Sequence, residues 1–457
     1  SILILMLYYA HKYTAIYAGA AQIYIRSHKC SGMRINMEYE IIRGKNQIGG
    51  TIIEIRTKST RLWVDFGMEL SVKDPYASDE FVIEKMKTKP PQAVLFTHIH
   101  GDHIGLLYAI PDGVKVYLGP IALQMMKNIR KTLLNVDALE TEERKKLQKE
   151  MVILSDTTRV VCYTNKEPMD VGGIIITPFE VDHSVADAYM LRFEADDYCI
   201  VHTGDFRNHG RRGEYLLDMI KEEVASVPVN VLITEGTMMS RTSEKILSEM
   251  QMEKRAQEIF EKNKYAFLIC SSTNMESLSS FYWAMIRAGK KRKEKPPFIV
   301  NSYVKKQLEL FTTSIGMDDW RFQFNRSYSI KKGLNELLRN NKTQKQHMID
   351  EGFVMMVGTS EYYRKLMEEF REYNPVLIYS LWGGYLDADK DYANPDLIEL
   401  VNAWKPNVEY LHTSGHASPE TVAKVIERVN PSDAIVPVHT ENPKGFFNLP
   451  INQRIIK

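Results

Sequence analysis

The chain has 457 residues, of which 44% are hydrophobic, and its 59 basic and 58 acidic residues leave a formal net charge of +1 at pH 7. This length and composition are typical of a globular protein of about two to three domains. The balanced charge excludes a strong overall basic field, so a polyanion would have to be bound by a local groove.

The first segment is an apolar run over residues 1–10 that is too short to span a membrane and lacks a signal-peptide cleavage pattern. We expect residues 1–32 to be an extension outside the fold, with the folded part beginning near Met33. No other segment approaches transmembrane length, which predicts a soluble protein with no membrane partner. Four scattered cysteines without a C-x-x-C pair predict reduced thiols in the cytoplasm.

From about residue 33 to residue 240, short apolar segments alternate with polar turns, which predicts a strand-rich α/β region. An apolar pattern from Ile104 onward predicts that a helix begins there. The predicted strands cover residues 37–42, 49–55, 61–65, 93–96, 173–176 and 198–201.

The strand predicted at residues 93–96 leads directly into a cluster of possible metal ligands, His98, His100, Asp102 and His103. Neutral imidazole suits a borderline-soft cation such as zinc, and a carboxylate adds charge and can serve a second, harder position. The spacing H-x-H-x-D-H after a strand therefore predicts a metal site. The alternative is a polar turn in which the histidines are incidental.

Three more predicted strands run into an acid or a histidine, at Asp65, His183 and Asp205. Each alone is a weak signal, because an aspartate at a strand end is usually a turn former. Together they supply what a binuclear site needs after the first cluster, a further histidine and a bridging carboxylate.

From about residue 241 to residue 410, longer amphipathic helices alternate with apolar strands. The clearest helix covers residues 244–262, and the strands cover residues 266–270, 298–300 and 376–379. This alternation predicts a parallel, doubly wound sheet in a second domain.

The last segment returns to the pattern of the first region. The string His412-Thr413-Ser414-Gly415-His416-Ala417-Ser418 precedes a helix with Ser418 as N-cap and Pro419 at its first position. The next strand, residues 434–438, ends at His439.

In the order Asp65, His98 to His103, His183 and Asp205, these motifs resemble those of the metallo-β-lactamase superfamily. The strings Thr234-Glu235-Gly236-Thr237, Ser414 to Ser418 and Pro437-Val438-His439-Thr440 are similar to the three further motifs of the β-CASP nucleases, and of the ribonuclease J family in particular. The resemblance extends from about residue 40 to the end of the sequence.

The resemblance implies an α/β fold in which residues 33–240 and 411–457 form an αββα sandwich. A doubly wound α/β domain, the β-CASP domain, would be inserted as residues 241–410. The sequence ends soon after His439, so we expect a minimal form without the further C-terminal domain of ribonuclease J, and homo-oligomerisation is left open.

The resemblance also implies two divalent metal ions, with zinc favoured over manganese, and a role for each matching residue. His98, His100 and His183 would bind the first ion, Asp102, His103 and His439 the second, and Asp205 both. Asp65 would orient a ligand or the bound water, and Asp102 would also belong to the catalytic group. His416, with Glu235, would act on the leaving oxygen or the scissile phosphate; Glu235 stands where ribonuclease J usually has an aspartate.

Two loops are candidates for substrate contacts. Ser271, Ser272, Thr273 and Asn274 leave a strand and open a helix, where hydroxyl and N–H groups can hold a phosphate, although Ser271 or Ser272 could equally be an ordinary N-cap. Around His416, the hydroxyl and N–H groups of Ser414, Gly415, Ala417 and Ser418 could hold a phosphate in the same way.

Two further features have a functional and a structural interpretation. The basic run Lys290 to Lys295 could contact a nucleic-acid backbone or form a solvated loop. Trp382 and Tyr385 could stack on bases or pack in the core.

The leading hypothesis is a cytoplasmic, metal-dependent ribonuclease that cleaves single-stranded RNA as an endonuclease, a 5′-to-3′ exonuclease, or both. A metallo-hydrolase of a small ester or thioester would share the metal cluster but would need neither the inserted domain nor the His416 motif. A non-catalytic RNA-binding subunit is the third interpretation; degenerate members of such families usually lose ligands, and here every expected ligand is present.

Overall fold

The computed structural model describes residues 37–70, 78–136, 139–242, 244–330, 342–390 and 392–456. The predicted extension over residues 1–32 lies outside the described residues. The described chain forms two compact units, one of residues 246–414 and one that joins residues 37–245 with residues 415–456.

The discontinuous unit contains two six-stranded sheets. The first consists, in spatial order, of β1 (Glu38–Arg43), β2 (Ile52–Arg56), β3 (Arg61–Val64), β4 (Ala93–Leu95), β5 (Lys115–Leu118) and β6 (Val160–Cys162). The second contains β7 (Met169–Val171), β8 (Ile174–Val181), β9 (Ala188–Ala195), β10 (Tyr198–His202), β11 (Val231–Glu235) and β18 (Ala434–Val438). Its spatial order is β18-β11-β10-β9-β8-β7, so the last strand of the chain lies beside β11.

The two sheets pack face to face through alternate residues of their strands. Ile53, Leu62 and Leu95 of the first sheet share one buried cluster with Ile176 and Phe193 of the second. Because successive side chains of a strand point to opposite faces, every second residue enters this core. The period-two pattern of the sequence thus fixes which face of each strand is buried.

The helices of this unit are α1 (Asp79–Thr88), α2 (Gly101–Ile104), α3 (Pro120–Leu134), α4 (Thr141–Ser155), α5 (Leu216–Glu222) and α12 (Pro419–Val429). Helices α5 and α12 cover the outer face of the second sheet, where Ile220 and Val422 pack with Val201 and Ile435. Ser418 is the N-cap of α12 and accepts a hydrogen bond from the backbone N–H of Thr421, as the sequence predicted.

The second unit, residues 246–414, contains one parallel sheet in the order β14-β13-β15-β12-β16-β17. Its strands are β12 (Tyr265–Cys270), β13 (Phe298–Asn301), β14 (Ser327–Ile330), β15 (Phe353–Met356), β16 (Val376–Ser380) and β17 (Val408–Tyr410). Its helices are α6 (Glu249–Lys262), α7 (Met275–Arg292), α8 (Ser302–Ser314), α9 (Lys342–Glu351), α10 (Glu361–Glu368) and α11 (Pro395–Trp404). From β12 the chain runs to the β14 edge, returns to place β15 between β13 and β12, and then continues through β16 to the β17 edge, so the winding reverses direction as in doubly wound sheets.

The α/β class predicted from the sequence is confirmed, and two predicted helix starts are wrong. Helix α6 begins at Glu249 rather than at residue 244, because Ser248 and Gln251 form a reciprocal capping box there. Helix α2 begins at Gly101, before Ile104. None of the helices in the described part of the chain combines the length and apolarity needed to cross a bilayer.

Candidate metal centre

The predicted ligands follow the carboxyl ends of strands in the discontinuous unit. β3 and β4 are parallel, and their ends deliver Asp65 and the 97–103 segment to one edge of the first sheet. The strands β8, β10, β11 and β18 run in one direction in the second sheet and lead to His183, Asp205, Glu235 and His439. Strand order, rather than sequence distance, therefore brings these side chains together.

The turn that carries the first cluster is anchored by its backbone. The amide of Phe66 donates to the carbonyl of His103 (2.8 Å), and that of Met68 donates to the carbonyl of Gly101 (3.0 Å). Thr51 donates to the carbonyl of Asp102 (3.1 Å). Because Asp102 and His103 lie on the single-turn helix α2, their side chains are held rigidly after the strand.

The first group contains His98, His100 and His183. His100 Nδ1 lies 3.1 Å from His98 Nε2 and 3.1 Å from His183 Nε2. His183 Nδ1–H donates to the carbonyl of Gly415 (2.6 Å), so its Nε2 carries a lone pair. Burial lowers the pKa of His100 to about 4 and holds the pKa of His98 and His183 well below 6.5, so all three rings are neutral at pH 7.

The second group contains Asp102, His103 and His439. Asp102 Oδ2 lies 3.0 Å from His439 Nε2 and 3.9 Å from His103 Nε2. Burial disfavours the Asp102 carboxylate, yet the imidazoles of His103 and His439 lower its pKa below its ordinary value. A negative charge is thereby maintained among the rings.

Asp205 connects the two groups through a single oxygen. Its Oδ2 lies 3.2 Å from His103 Nε2, 3.7 Å from His439 Nε2 and 3.9 Å from His98 Nε2. Burial raises the pKa of Asp205, but His439, His103 and His416 together hold it well below 3.8. This is the arrangement expected of a carboxylate shared between two cations.

The residues of both groups fit divalent cations. Ligands of a tetrahedral zinc ion with Zn–N bonds of about 2.0–2.1 Å lie roughly 3.3 Å apart, close to the separation of the imidazole nitrogens in the first group. The Nδ1 atom of His100 offers either one hydrogen or one lone pair. It can therefore form a good hydrogen bond with only one of its two neighbours, His98 Nε2 or His183 Nε2. His103 Nε2 is buried, and although Asp205 Oδ2 lies 3.2 Å away, this nitrogen makes no hydrogen bond of good geometry to any described residue. Buried polar atoms without such a bond are rare, and a metal ion would satisfy this one.

Asp65 orients His103. Its carboxylate accepts hydrogen bonds from Thr97 N (2.7 Å), Thr97 Oγ1 (2.8 Å) and His103 Nδ1 (2.8 Å), which turns His103 Nε2 toward Asp205. Burial lowers the pKa of His103, but Asp205 and Asp65 raise it well above 6.5. Asp65 and His439 both have positive φ angles, 60° and 50°, a backbone strain that is typical of functional sites.

His416 lies beside the second group. Its Nδ1 is 3.4 Å from Glu235 Oε2 and 3.7 Å from Asp205 Oδ2. Burial lowers the pKa of His416, whereas Glu235 and Asp205 raise it, and the net pKa lies above 6.5. The backbone amides of Thr237 (3.0 Å) and Ala417 (3.2 Å) donate to the Glu235 carboxylate and hold it in place.

Thr237 is a site residue that the sequence analysis did not assign, although it stands in the Thr234 to Thr237 string. Its Oγ1 lies 2.8 Å from His439 Nδ1 and 3.1 Å from His416 Nδ1, and it donates to the His439 carbonyl (3.3 Å). A hydroxyl oxygen can accept two hydrogen bonds while donating one. Thr237 can therefore accept hydrogen bonds from the Nδ1–H groups of both rings, which leaves His439 Nε2 facing Asp205.

Several predicted substrate contacts already have structural partners. The carbonyl of Gly415 accepts a hydrogen bond from His183, and the amide of Ala417 donates one to Glu235. The hydroxyl of Ser418 accepts one from the backbone N–H of Thr421 at the start of α12. Gly415 and Ala417 therefore position side chains of the metal centre, and Ser418 caps the helix that follows.

The other predicted substrate contacts lie in the 246–414 unit. Asn274 accepts a hydrogen bond from Ser277 N (3.1 Å) and is the N-cap of α7, so the alternative that Ser271 or Ser272 is an ordinary N-cap of this helix is wrong. Ser271 Oγ and Thr273 Oγ1 are 3.1 Å apart. Ser414 and Ser272 also belong to this unit.

The basic run and the aromatic pair both have neighbours within the 246–414 unit. Lys290 to Arg292 end helix α7, and Lys291 and Arg292 are paired with Glu261 and Glu294. Trp382 and Tyr385 are half-buried, with ring centroids 5.6 Å apart.

No family model matches this sequence. The chain is similar to the transcription termination factor FttA of Methanococcus maripaludis, with 26% identity over 204 residues that cover 42% of this chain and 30% of that protein. FttA of Methanocaldococcus jannaschii is 27% identical to this chain over 208 residues, which again cover 42% of this chain and 30% of that protein. Ribonuclease J of Helicobacter pylori is 23% identical over 171 residues, which cover 36% of this chain and 22% of that protein.

The matches thus span less than a third of the length of these relatives. Among solved structures, a protein of unknown function from Enterococcus faecalis V583 has the same fold, with a TM-score of 0.66 over 92% of this chain and 97% of that chain. Sequence identity to that protein is 19%, so the likeness concerns the fold.

Proposed function

The chain belongs to the β-CASP group of the metallo-β-lactamase superfamily, with a resemblance to ribonuclease J, and from this premise we propose that it is a metal-dependent ribonuclease that hydrolyses phosphodiester bonds in single-stranded RNA. One observation carries the proposal. His98, His103, His416 and His439 all have a ring nitrogen within 4 Å of the single oxygen Asp205 Oδ2.

In this proposal the two groups of ligands would hold two divalent cations, with zinc favoured and manganese an alternative that the same ligands accept. His98, His100 and His183 would hold one cation, Asp102, His103 and His439 would hold the other, and Asp205 would serve both groups. When bound, such cations would activate a water for attack and neutralise charge on a phosphodiester.

His416 is the proposed general acid. Its Nδ1 faces Glu235 and Thr237, so the proton available for transfer is the one on Nε2. Because Glu235 and Asp205 raise the pKa of this ring, His416 keeps that proton near neutral pH and can give it to the leaving 3′-oxygen. Glu235 acts through His416 by holding its charge and its orientation.

The proposed RNA contacts are the hydroxyl and amide groups of Ser414, Ser271, Ser272 and Thr273. We also propose that the protein acts in the cytoplasm, where its thiols would stay reduced. Mapping of the cleavage products distinguishes endonuclease from 5′-to-3′ exonuclease action.

The test is RNA cleavage by the purified chain on RNAs that carry a 5′-monophosphate, a 5′-triphosphate or a 5′-hydroxyl. We expect cleavage that a chelator abolishes and that added zinc or manganese restores, and product mapping will separate internal from terminal cutting. The variant H439A should be inactive, and H347A, which removes an exposed histidine in the other unit, should match the parent chain.

RNA that stays intact under both metals would contradict the proposal. Hydrolysis of a thioester without RNA cleavage would indicate a small-molecule hydrolase instead. RNA binding without turnover, with both metals bound, would indicate a non-catalytic subunit.

A further inference from the structure

A buried ion pair joins the two loops that carry His183 and Asp205. Asp182 directly precedes His183, and Arg207 follows Asp205 by two residues. Arg207 Nε donates to Asp182 Oδ1 (2.8 Å), and the backbone amide of Arg207 donates to the Asp182 carbonyl (2.7 Å). Arg207 is 0% and Asp182 is 5% exposed, so neither side chain is available to solvent.

The sheet alone does not bring these two loops together. His183 follows β8 and Asp205 follows β10, and β9 lies between them in the second sheet. Neighbouring strands are about 4.8 Å apart, so the ends of β8 and β10 are separated by roughly 10 Å. The two loops must therefore converge beyond the strand ends, and the hydrogen bonds between Asp182 and Arg207 join them there.

The chemistry of the pair suits a geometric role better than a stabilising one. Desolvating a guanidinium and a carboxylate offsets most of their mutual attraction, so a buried ion pair contributes little net stability. A guanidinium instead offers a planar, fixed set of donors that determines the relative position of its partners. The space is also closed, since a Cβ on Gly210 would overlap the Asp182 carboxylate.

We propose that Asp182 and Arg207 are positioning residues of the metal centre, which set the distance between His183 and Asp205 so that both can reach the same pair of cations. The inference rests on the proposed metal centre. It adds that two residues outside the ligand set determine metal affinity through the loops that they join.

The test is a cation titration of the purified full chain, with Co²⁺ and Zn²⁺ in competition with a chromophoric chelator, and with the visible spectrum of bound Co²⁺ as a second readout. The variant R207M keeps the aliphatic stem and removes the guanidinium. We expect its cation affinity to fall at least about tenfold, the usual scale for losing a residue that supports a ligand, and the Co²⁺ spectrum to change.

The matched control is R130M. Arg130 and Glu150 form another buried ion pair in the same unit, between helices α3 and α4, which carry none of the proposed ligands. Both variants remove a guanidinium from beside a buried carboxylate and should lose stability to urea. Only R207M should lose cation affinity, which separates positioning from general destabilisation. R207K, which keeps the positive charge, should recover part of the affinity.

Parent-like cation affinity and an unchanged Co²⁺ spectrum in R207M would overturn the role of the pair while leaving the metal centre intact. A parent chain that binds neither cation would overturn the proposed metal centre, and the inference with it. If R207M does not fold, the variant D182N provides the test. It keeps an oxygen that can accept from Arg207 but removes the negative charge, and its cation affinity should lie below that of the parent chain. Equal affinity in D182N would refute the inference.

Discussion

Gly415 is a position where one added methyl group should disturb the metal centre through the residue beside a proposed ligand. A Cβ on Gly415 would overlap Ser184 Oγ and would lie 2.8 Å from Ser184 Cβ and 3.2 Å from His183 Cε1. The Ser184 hydroxyl can rotate away, but its Cβ can move only with the backbone. The carbonyl of Gly415 also accepts the hydrogen bond from His183 Nδ1, so any backbone shift is passed to His183.

The size of the effect follows from this geometry. The two Cβ atoms would be about 0.6 Å closer than the 3.4 Å at which ordinary contact begins. Overpacking of this kind costs about 1–3 kcal/mol. If the cost falls on the bound state, G415A should weaken cation binding roughly 5- to 140-fold. Chelator competition with the purified variant measures it.

A second substitution tests whether the contact with Ser184 is the cause. In G415A/S184G the overlapping side chain is absent, and of the three nearest contacts the 3.2 Å contact with His183 remains, so most of the affinity should return. S184G alone should bind cations nearly as the parent chain does. The reasoning would be refuted if G415A bound with the parent affinity, or if the double variant were as weak as G415A, because contacting residues should be strongly non-additive.

Three further predictions concern polar residues. T237V removes the hydroxyl that holds His439 and His416 and should weaken cation binding about tenfold or more, whereas T237S should retain the affinity. E235Q removes a charge that raises the pKa of His416, so the alkaline limb of the kcat profile for RNA cleavage should move to lower pH. Burial raises the pKa of Asp187 from 3.8 to about 6. Its folded form should therefore lose up to about 3 kcal/mol as the pH rises from below 3.8 through 6, and D187N should remove this dependence in urea unfolding.

Each of these predictions has a contrary outcome. Equal cation affinity of T237V and T237S would show that the hydroxyl has no role. An unchanged alkaline limb in E235Q would mean that His416 is not the acid or that Glu235 does not control it. A difference in unfolding free energy between D187N and the parent chain that is constant with pH would contradict the shifted pKa of Asp187.

Some features of this protein follow from the sequence alone because their interactions are local. His98, His100, Asp102 and His103 lie in six consecutive positions, so any fold that places a strand before them delivers them together. The cap of helix α12 is equally local, since Ser418 and Pro419 act within one helical turn. The apolar alternation of the strands predicted the α/β class for the same reason.

Local signals failed where two of them competed. The amphipathic pattern of α6 extends back to residue 244, but the capping box of Ser248 and Gln251 starts the helix five residues later. At the start of α7, Ser271, Ser272 and Asn274 could each cap the helix, and the backbone path after β12 selects Asn274. Composition does not distinguish such neighbours, because each offers a suitable oxygen.

The assembly of the site was decided by the tertiary structure. His183 meets His100 across 83 positions, and His439 meets Asp102 across 337 positions. No spacing in the chain encodes these distances, which depend on the order of strands in the second sheet and on its packing against the first. Thr237 and the Asp182–Arg207 pair likewise acquire their partners only when separate strands end at one edge, because a hydrogen bond requires proximity in space and the sequence records only proximity along the chain.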